Sequence, residues 1–328
     1  MAPSRGTTVL IAGLLVSAVA LTGCDGGPPS GPEVTGPVST SAAPAPTVMS
    51  STSDGGPSGG PSTSSQATPT FPPAPPRANA QPKDFDARNF GTALPAEPNQ
   101  YFPLVAGTQT LRDGTITRGS RKLHHRRRVT VTDVVKEVDG VRTVAVLDQD
   151  IDAGQVSEAA LDYYAQDRTG NVWYLGSYTE IYEGGEFVNA ADAWLSGENE
   201  ATAGIAMLAD PQEGLRYVEA RIPGRETIRA EVAEVGKRKC VPFQCFPQAL
   251  SVLEDGTELK YYGPGVGDIA TEPEYSGGEQ EKEELINVIQ LTPDGLREAS
   301  KEALRLDRHA RTAAEHVFAR SAPAERAR

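Results

Sequence analysis

The chain has 328 residues, with 44 acidic against 31 basic side chains and a formal net charge of −13 at pH 7. This balance argues against nucleic acid as a partner, because phosphate binding needs a net basic surface. Three cysteines and four histidines leave few ligands for a thiolate or multi-histidine metal centre. We therefore predict no cofactor and no nucleic-acid partner.

The N-terminus has the pattern of an export signal. Arg5 precedes an apolar segment, residues 9–20, which is shorter than the roughly 20 residues that span a bilayer. It is followed by Leu21, Thr22, Gly23 and Cys24, a run that resembles a bacterial lipobox. The resemblance implies cleavage after Gly23 and attachment of a diacylglyceryl group to the Cys24 thiol. We predict a signal peptide over residues 1–23 and lipid anchoring on the extracytoplasmic face of the bacterial cell membrane.

Residues 24–80 have the composition of a linker. Beyond Cys24 the segment consists almost entirely of Pro, Gly, Ser, Thr and Ala, and Phe71 is its one aromatic residue. Such a segment cannot bury enough apolar surface to offset the entropy of ordering. We predict a disordered tether that holds a folded domain away from the membrane.

Residues 98–291 show short alternating segments broken by Gly, Asp and Pro, which predicts an antiparallel β domain. Asp139-Gly140 lies between two β-branched runs and predicts a hairpin. Residues 229–235 fit neither helical nor strand periodicity, and we favour a strand. The fold predicted for the domain is mainly β, a single curved antiparallel sheet or half-barrel.

The C-terminal region predicts an α-helix over residues 292–318. Thr292 has the position of an N-cap, Pro293 that of the first helical residue, and apolar residues follow at helical spacing. Because most of this apolar stripe is alanine, we expect the helix to lie loosely on the sheet or to project into solvent. Residues 319–328 are predicted to be a disordered tail.

Three segments carry a recognisable pattern: 101–108 (YFPLVAGT), 162–167 with 170–174 (DYYAQD and GNVWY), and 261–267 (YYGPGVG). Together they resemble an uncharacterised family of bacterial exported proteins and lipoproteins. The resemblance extends over about half the chain and implies a curved antiparallel sheet, but the family brings no known activity with it. In that family Val-Pro is followed by a Gly and an aromatic residue, whereas Val241-Pro242 here lies between two cysteines.

Cys240 and Cys245 remain as a pair once Cys24 is assigned to the lipid. In an exported protein an even remainder at close spacing favours a disulfide over a metal site. The four residues between them are enough to turn the chain. We predict a disulfide that pins a local bend.

A basic run stands out in this acidic chain. It admits two interpretations: contact with anionic lipid or wall polymer, or a solvated hairpin loop and strand start, which we favour. His124 and His125 lie within it. Its basic residues are Arg118, Arg121, Lys122, Arg126, Arg127 and Arg128.

Asp148, Asp150 and Asp152 are the clearest candidates for a calcium loop. An EF-hand needs Gly at its sixth position and Glu at its twelfth, where this chain has Ala153 and Ala159. We therefore favour a strand with the three carboxylates on one solvent-facing side, and predict no metal site.

The sequence shows no coherent catalytic set. An aromatic cluster over residues 163–182 could pack in the core or line a groove for a sugar or lipid. We therefore predict a non-enzymatic binding or scaffold module of the cell envelope, with lipid or cell-wall polymer as potential partners. Two alternatives remain open: a half-barrel carrier of a lipid or other hydrophobic envelope component, and an enzyme acting on wall polymer or lipid.

Overall fold

The computed structural model of the protein describes residues 84–92, 97–225, 227–274 and 280–327. The predicted signal peptide, Cys24 and the predicted tether lie outside the described residues. The strands are β1 Thr108–Arg118, β2 Arg121–Val138, β3 Val141–Asp152, β4 Gln155–Gln166, β5 Val172–Glu183, β6 Glu186–Asn189, β7 Trp194–Leu195, β8 Thr202–Met207, β9 Arg216–Arg221, β10 Thr227–Cys240, β11 Cys245–Glu254, β12 Glu258–Gly263, β13 Gly267–Pro273, β14 Gln280–Gln290 and β15 Glu325–Arg326.

Twelve of these strands form one closed antiparallel barrel. The neighbours run β1-β14-β13-β12-β11-β10-β9-β8-β5-β4-β3-β2, and β1 also pairs with β2 and so closes the ring. The short strands β6 and β7 pair with β5, and β15 pairs with β2. The predicted mainly β, antiparallel domain with a C-terminal helix is confirmed, and its sheet closes completely where a half-barrel was one expectation.

Closure depends on β1, which has a hydrogen-bonded neighbour on each edge. Gly114 pairs with His125 of β2 on one side and with Glu283 of β14 on the other. A Cβ on Gly114 would lie 1.9 Å from the Lys282 carbonyl oxygen, so only glycine fits where β1 approaches β14 this closely.

The turns agree with the local sequence signals. Asp139 and Gly140 join β2 to β3 with φ angles of 50° and 74°, the left-handed conformation that an Asp-Gly hairpin turn needs. Residues 229–235 lie within β10. Cys240 and Cys245 join β10 to β11 through a disulfide with an S–S distance of 2.02 Å.

The C-terminal helices are α1 (Pro293–Ala313) and α2 (Glu315–Phe318). The Thr292 hydroxyl accepts a hydrogen bond from the Gly295 N–H and caps α1. The expectation that the helix packs loosely is wrong: the small apolar residues of its stripe let α1 come close to the outer wall, where they are fully buried together with Leu306. These buried helix residues are Ala303, Leu306 and Ala310.

Strand alternation places different chemistry on the two sides of the barrel wall. On β4, Leu161 and Tyr163 are fully buried on the outer side, where the Tyr163 hydroxyl donates to Asp307 of α1. Asp162 and Tyr164 point inward and line a cavity. Because about eight strands already make a barrel that side chains can fill, a ring of twelve leaves internal space.

Candidate functional site

The barrel interior holds a cavity of about 190 Å³ whose wall includes many charged side chains among apolar and aromatic ones. Ten of its lining side chains are acids or bases, and the acids outnumber the bases by seven to three. The bases are Arg112, Arg127 and Lys260, and the acids are Asp148, Glu158, Asp162, Asp192, Glu219, Glu254 and Asp268.

Each of the three bases holds one lining carboxylate. Arg127 contacts Asp148 through two guanidinium nitrogens, with Nη2 2.5 Å from Oδ2. Arg112 Nη1 lies 2.6 Å from Asp268 Oδ2, and Lys260 forms an ion pair with Glu254. Asp192 is paired with Arg225, at 2.9 Å. These four acids are therefore neutralised by protein cations.

The other three lining acids, Glu158, Asp162 and Glu219, have no ion-pair partner among the described residues. Burial, together with the charge of Asp148, raises the pKa of Asp162 to about 6. Burial likewise raises the pKa of Glu158 and of Glu219 well above the usual range, with added repulsion from Asp150 and Glu254 respectively. The cavity thus has three carboxyl groups that lack a cationic partner.

An aromatic stack lies beside these carboxyl groups. The Tyr164 and Tyr174 rings are stacked with centroids 4.9 Å apart, and Phe102 lies 4.9 Å from Tyr164 on the other side. The Tyr174 hydroxyl donates a 2.8 Å hydrogen bond to Asp162 Oδ1. Trp194 packs edge-on against Tyr174, with centroids 5.1 Å apart. The stack therefore has a fixed position next to an acidic group.

A second cluster is buried at the wall formed by β1, β2 and β14. His125, Glu281 and Glu283 place a ring nitrogen and two carboxylate oxygens within 4.8 Å of one another. The side chain of His125 is fully buried, and its Nδ1 lies 2.8 Å from Asp152 Oδ1. Histidine and glutamate are both residue types that could hold a metal ion.

The carboxylates around this cluster strongly affect the pKa of His125. Burial lowers the pKa of His125, but the Asp152 hydrogen bond and the Glu281 and Asp150 carboxylates outweigh burial and raise it to about 11. Glu283 also forms an ion pair with Arg112, whose Nε lies 2.8 Å from Oε1.

The acidic run of β3 lies on one side of its strand, as the alternation predicted, but the expectation of a solvent-facing side is wrong. Asp148, Asp150 and Asp152 point into the barrel and are 7%, 7% and 8% exposed. The alternation of side chains along β3 determines which residues share a face. Because the sheet closes into a ring, the face with the three aspartates points inward. The three acids are held by Arg127, Arg118 and His125 rather than by water.

The basic run is divided between the two sides of β2. Arg127 departs from the predicted surface role because its side chain points into the cavity, while Arg126 on the opposite face pairs with Asp113 at 2.8 Å. Arg118 pairs with Asp152 at 2.8 Å. The other three, Arg121, Lys122 and Arg128, are exposed or half-buried.

The aromatic cluster is divided in the same way. Tyr164 and Tyr174 line the cavity, whereas Tyr163 and Tyr178 pack under the C-terminal helices against Phe318. Glu158, Asp162 and Glu219, the unpaired acids of the cavity, were not identified from sequence. Glu281 and Glu283 of the second cluster were missed as well, although their two-residue spacing repeats that of the β3 acids and could have indicated a shared inward face.

Comparisons with known proteins leave the chain without a family. No protein-family model matches it, and no curated protein matches it. A crystal structure of a candidate lipoprotein from Parabacteroides distasonis aligns with 59% of this chain and 100% of its own, at 12% sequence identity and a TM-score of 0.34. A likeness this low carries no argument about function. Within the described residues, no helix is both long and apolar enough to cross a membrane.

Proposed function

We propose that the protein is a lipid-anchored extracytoplasmic binding protein that takes up a small organic cation in its barrel. The observation that supports this role is the cavity itself, where three carboxyl groups lack a cationic partner and one of them, Asp162, lies beside stacked tyrosine rings. Aromatic rings attract ammonium groups through the ring quadrupole, and quaternary ammonium ions are bound in this way. Asp162, with a pKa of about 6, adds a negative charge above that pH within a desolvated space.

The cavity volume limits the size of the ligand. An apolar cavity of about 150 Å³ accepts benzene, so about 190 Å³ suits a compact ammonium ion of similar size. The alternative of an acyl-chain carrier needs an apolar pocket, whereas ten lining side chains here are acids or bases. The charged groups in the wall therefore favour a small charged solute over a lipid tail.

Calorimetric titration tests the proposal with matched ligands and matched variants. The mature chain, extracted in detergent and kept in chelator, is titrated with choline and with 3,3-dimethylbutanol, its neutral isostere. We expect choline to bind at least about tenfold more tightly, because the isostere lacks the charge that the carboxylates attract. Asp162→Asn should weaken choline binding about tenfold at pH 8, where Asp162 is ionised, and Glu231→Gln, an exposed control that pairs with Arg216, should leave it unchanged. Equal binding of the two ligands would refute a cation site.

A second candidate function is an enzyme, favoured by the raised pKa values of carboxyl groups that face one cavity. A wall polymer needs an open groove, and these groups lie inside the barrel. Mass spectrometry of choline after prolonged incubation with the protein separates the two candidates. An unchanged mass supports binding, and a conversion that Glu158→Gln abolishes supports an enzyme.

Anchoring through Cys24 is tested separately by fractionation. Cys24→Ser removes the only thiol of the lipobox-like run, so we expect the protein to move from the membrane fraction to the soluble extracytoplasmic fraction. Cys240→Ser serves as a control, because that sulfur is held in a disulfide, and its protein should stay with the membrane. Retention of Cys24→Ser protein in membranes would contradict the lipid anchor.

A further inference from the structure

The buried cluster on β2 and β14, beside β1, has the geometry of a metal site. His125 Nε2 lies 3.5 Å from Glu281 Oε1 and 3.7 Å from Glu283 Oε2. Asp150 Oδ1 lies 3.9 Å from the same nitrogen and borders the cluster. We propose that His125, Glu281 and Glu283 bind one divalent transition-metal ion.

The distances suit a shared ion better than direct hydrogen bonds. A hydrogen bond to nitrogen requires about 2.7–3.2 Å between heavy atoms. Zinc bonds of about 2.0–2.2 Å place neighbouring ligands of a tetrahedron about 3.4 Å apart. The separations of 3.5 and 3.7 Å from Nε2 to the two glutamates are therefore close to the edges of a coordination polyhedron.

The polar atoms that face this space lack hydrogen-bond partners. Among the described residues, His125 Nε2, Asp150 Oδ1, Glu281 Oε1 and Glu283 Oε2 are buried without one. Leaving a buried polar group unsatisfied costs about 1–3 kcal/mol, and more for a charged group. One cation between His125, Glu281 and Glu283 would give three of these atoms a partner.

The outer contacts of His125 are those of a metal ligand. Its Nδ1 is paired with Asp152 Oδ1 at 2.8 Å; because a carboxylate only accepts, Nδ1 carries the donor hydrogen, and Nε2 faces the two glutamates. Metal-binding histidines almost always donate their second ring N–H in this way. Asp152 is thus a positioning residue for the imidazole.

The number of acidic side chains around the cluster also favours a bound cation. Among the described residues around the cluster, six carboxyl groups face three guanidinium groups. A divalent ion would therefore lie among more acids than bases. The carboxyl groups are those of Asp148, Asp150, Asp152, Asp268, Glu281 and Glu283, and the guanidinium groups are those of Arg112, Arg118 and Arg127.

The proposed ligands belong to two strands, β2 and β14, that are separated by β1. His125 and Glu283 lie on β2 and β14, on either side of β1, and adjacent strands are about 4.8 Å apart. The residue between them is Gly114, which has no side chain to fill the space. An imidazole nitrogen with carboxylates favours a first-row transition ion over Ca²⁺ or Mg²⁺, which prefer oxygen ligands alone.

Titration with Zn²⁺ and Mn²⁺ tests the site. The mature chain in detergent is stripped with chelator and titrated without any organic cation, so this result is independent of choline binding. We expect one ion per chain for the wild type, binding at least about 100-fold weaker in His125→Gln, and binding about 10- to 100-fold weaker in Asp152→Asn. His124→Gln and Glu284→Gln are matched controls on the opposite strand face and should bind like the wild type.

Spectroscopy of the Co²⁺-substituted protein distinguishes a change at the metal site from misfolding of the variant. The visible absorption of bound Co²⁺ should change in Glu283→Gln, a nearly isosteric variant, while its far-ultraviolet circular dichroism stays like that of the wild type. Absence of stoichiometric binding by the wild type would overturn the proposal. Equal affinity of His124→Gln and His125→Gln would overturn it as well.

Discussion

Replacement of Asp162 by asparagine should stabilise the barrel by about 2–3 kcal/mol at pH 8 and have no effect near pH 3.5. Asp162 is 9% exposed and its pKa is raised from 3.8 to about 6, chiefly by burial, and each pKa unit corresponds to about 1.4 kcal/mol. The folded state therefore holds a proton that the unfolded chain releases above its lower pKa. This stabilising contribution is present at low pH and is lost as pH rises through about 6.

Urea denaturation at pH 3.5 and at pH 8 measures this effect as a shift of the unfolding midpoint, while the dependence of the unfolding free energy on urea concentration stays the same. Asp148→Asn is the matched control, because Asp148 holds Arg127 through two nitrogens and its loss leaves a buried guanidinium group short of a partner. We expect Asp148→Asn to destabilise the barrel at pH 8. Destabilisation by Asp162→Asn at pH 8 would contradict the assignment of Asp162 as an uncompensated buried acid.

The same substitution links stability to the proposed function. Asp162→Asn should weaken choline binding, since the asparagine side chain is neutral, while it still accepts the Tyr174 hydrogen bond. A residue that costs stability in the free protein and contributes to binding is typical of a functional site. Saturating choline should therefore narrow the stability difference between wild type and variant, because the ligand stabilises the wild type more.

Local signals in the sequence predicted the fold class, because they act over a few residues. Asp139-Gly140 predicted a turn with left-handed backbone, and Thr292-Pro293 predicted the start of a helix; both are present. Closure could not be predicted in this way. It depends on pairing between β1 and β14, which lie at opposite ends of the folded region and carry no local signal for each other.

The candidate sites were harder to predict, because the alternation of side chains along a strand does not show which face of the strand points into the barrel. The β3 acids were placed in solvent by the general rule that charged residues are exposed. In a twelve-stranded barrel the interior is wide enough for charged side chains, so this rule failed for Asp148, Asp150 and Asp152. The proximity of His125 and Glu283 depends on Gly114 of the closing strand, and no sequence spacing indicates it.

Loss of the buried ion pair between Lys136 and Asp307 should release the C-terminal helix from the barrel. Lys136 Nζ is fully buried on the outer wall, 2.8 Å from Asp307 Oδ1 of α1. Asp307 Oδ2 also accepts the Ala324 N–H at 3.0 Å. Removing one partner of a buried pair costs about 3–5 kcal/mol because the other charge stays buried and unpaired. We expect a loss of this size in Asp307→Ala, measured by urea denaturation.

The double variant Lys136→Met with Asp307→Asn separates a charge effect from a packing effect. Neutral residues of similar volume can replace a buried pair at little cost, Lys136 Nζ already lies 5.4 Å from the Phe318 ring centroid, and an asparagine side chain can still accept from the Ala324 N–H. The double variant should therefore recover most of the lost stability. Lys301→Met, in an exposed pair with Glu298, should change stability by less than about 1 kcal/mol. An equally small loss of unfolding free energy in Asp307→Ala and Lys301→Met would contradict this role of the ion pair. The apolar stripe alone would then hold the helix, and hydrogen exchange would show the same protection along α1 in Asp307→Ala as in the wild type.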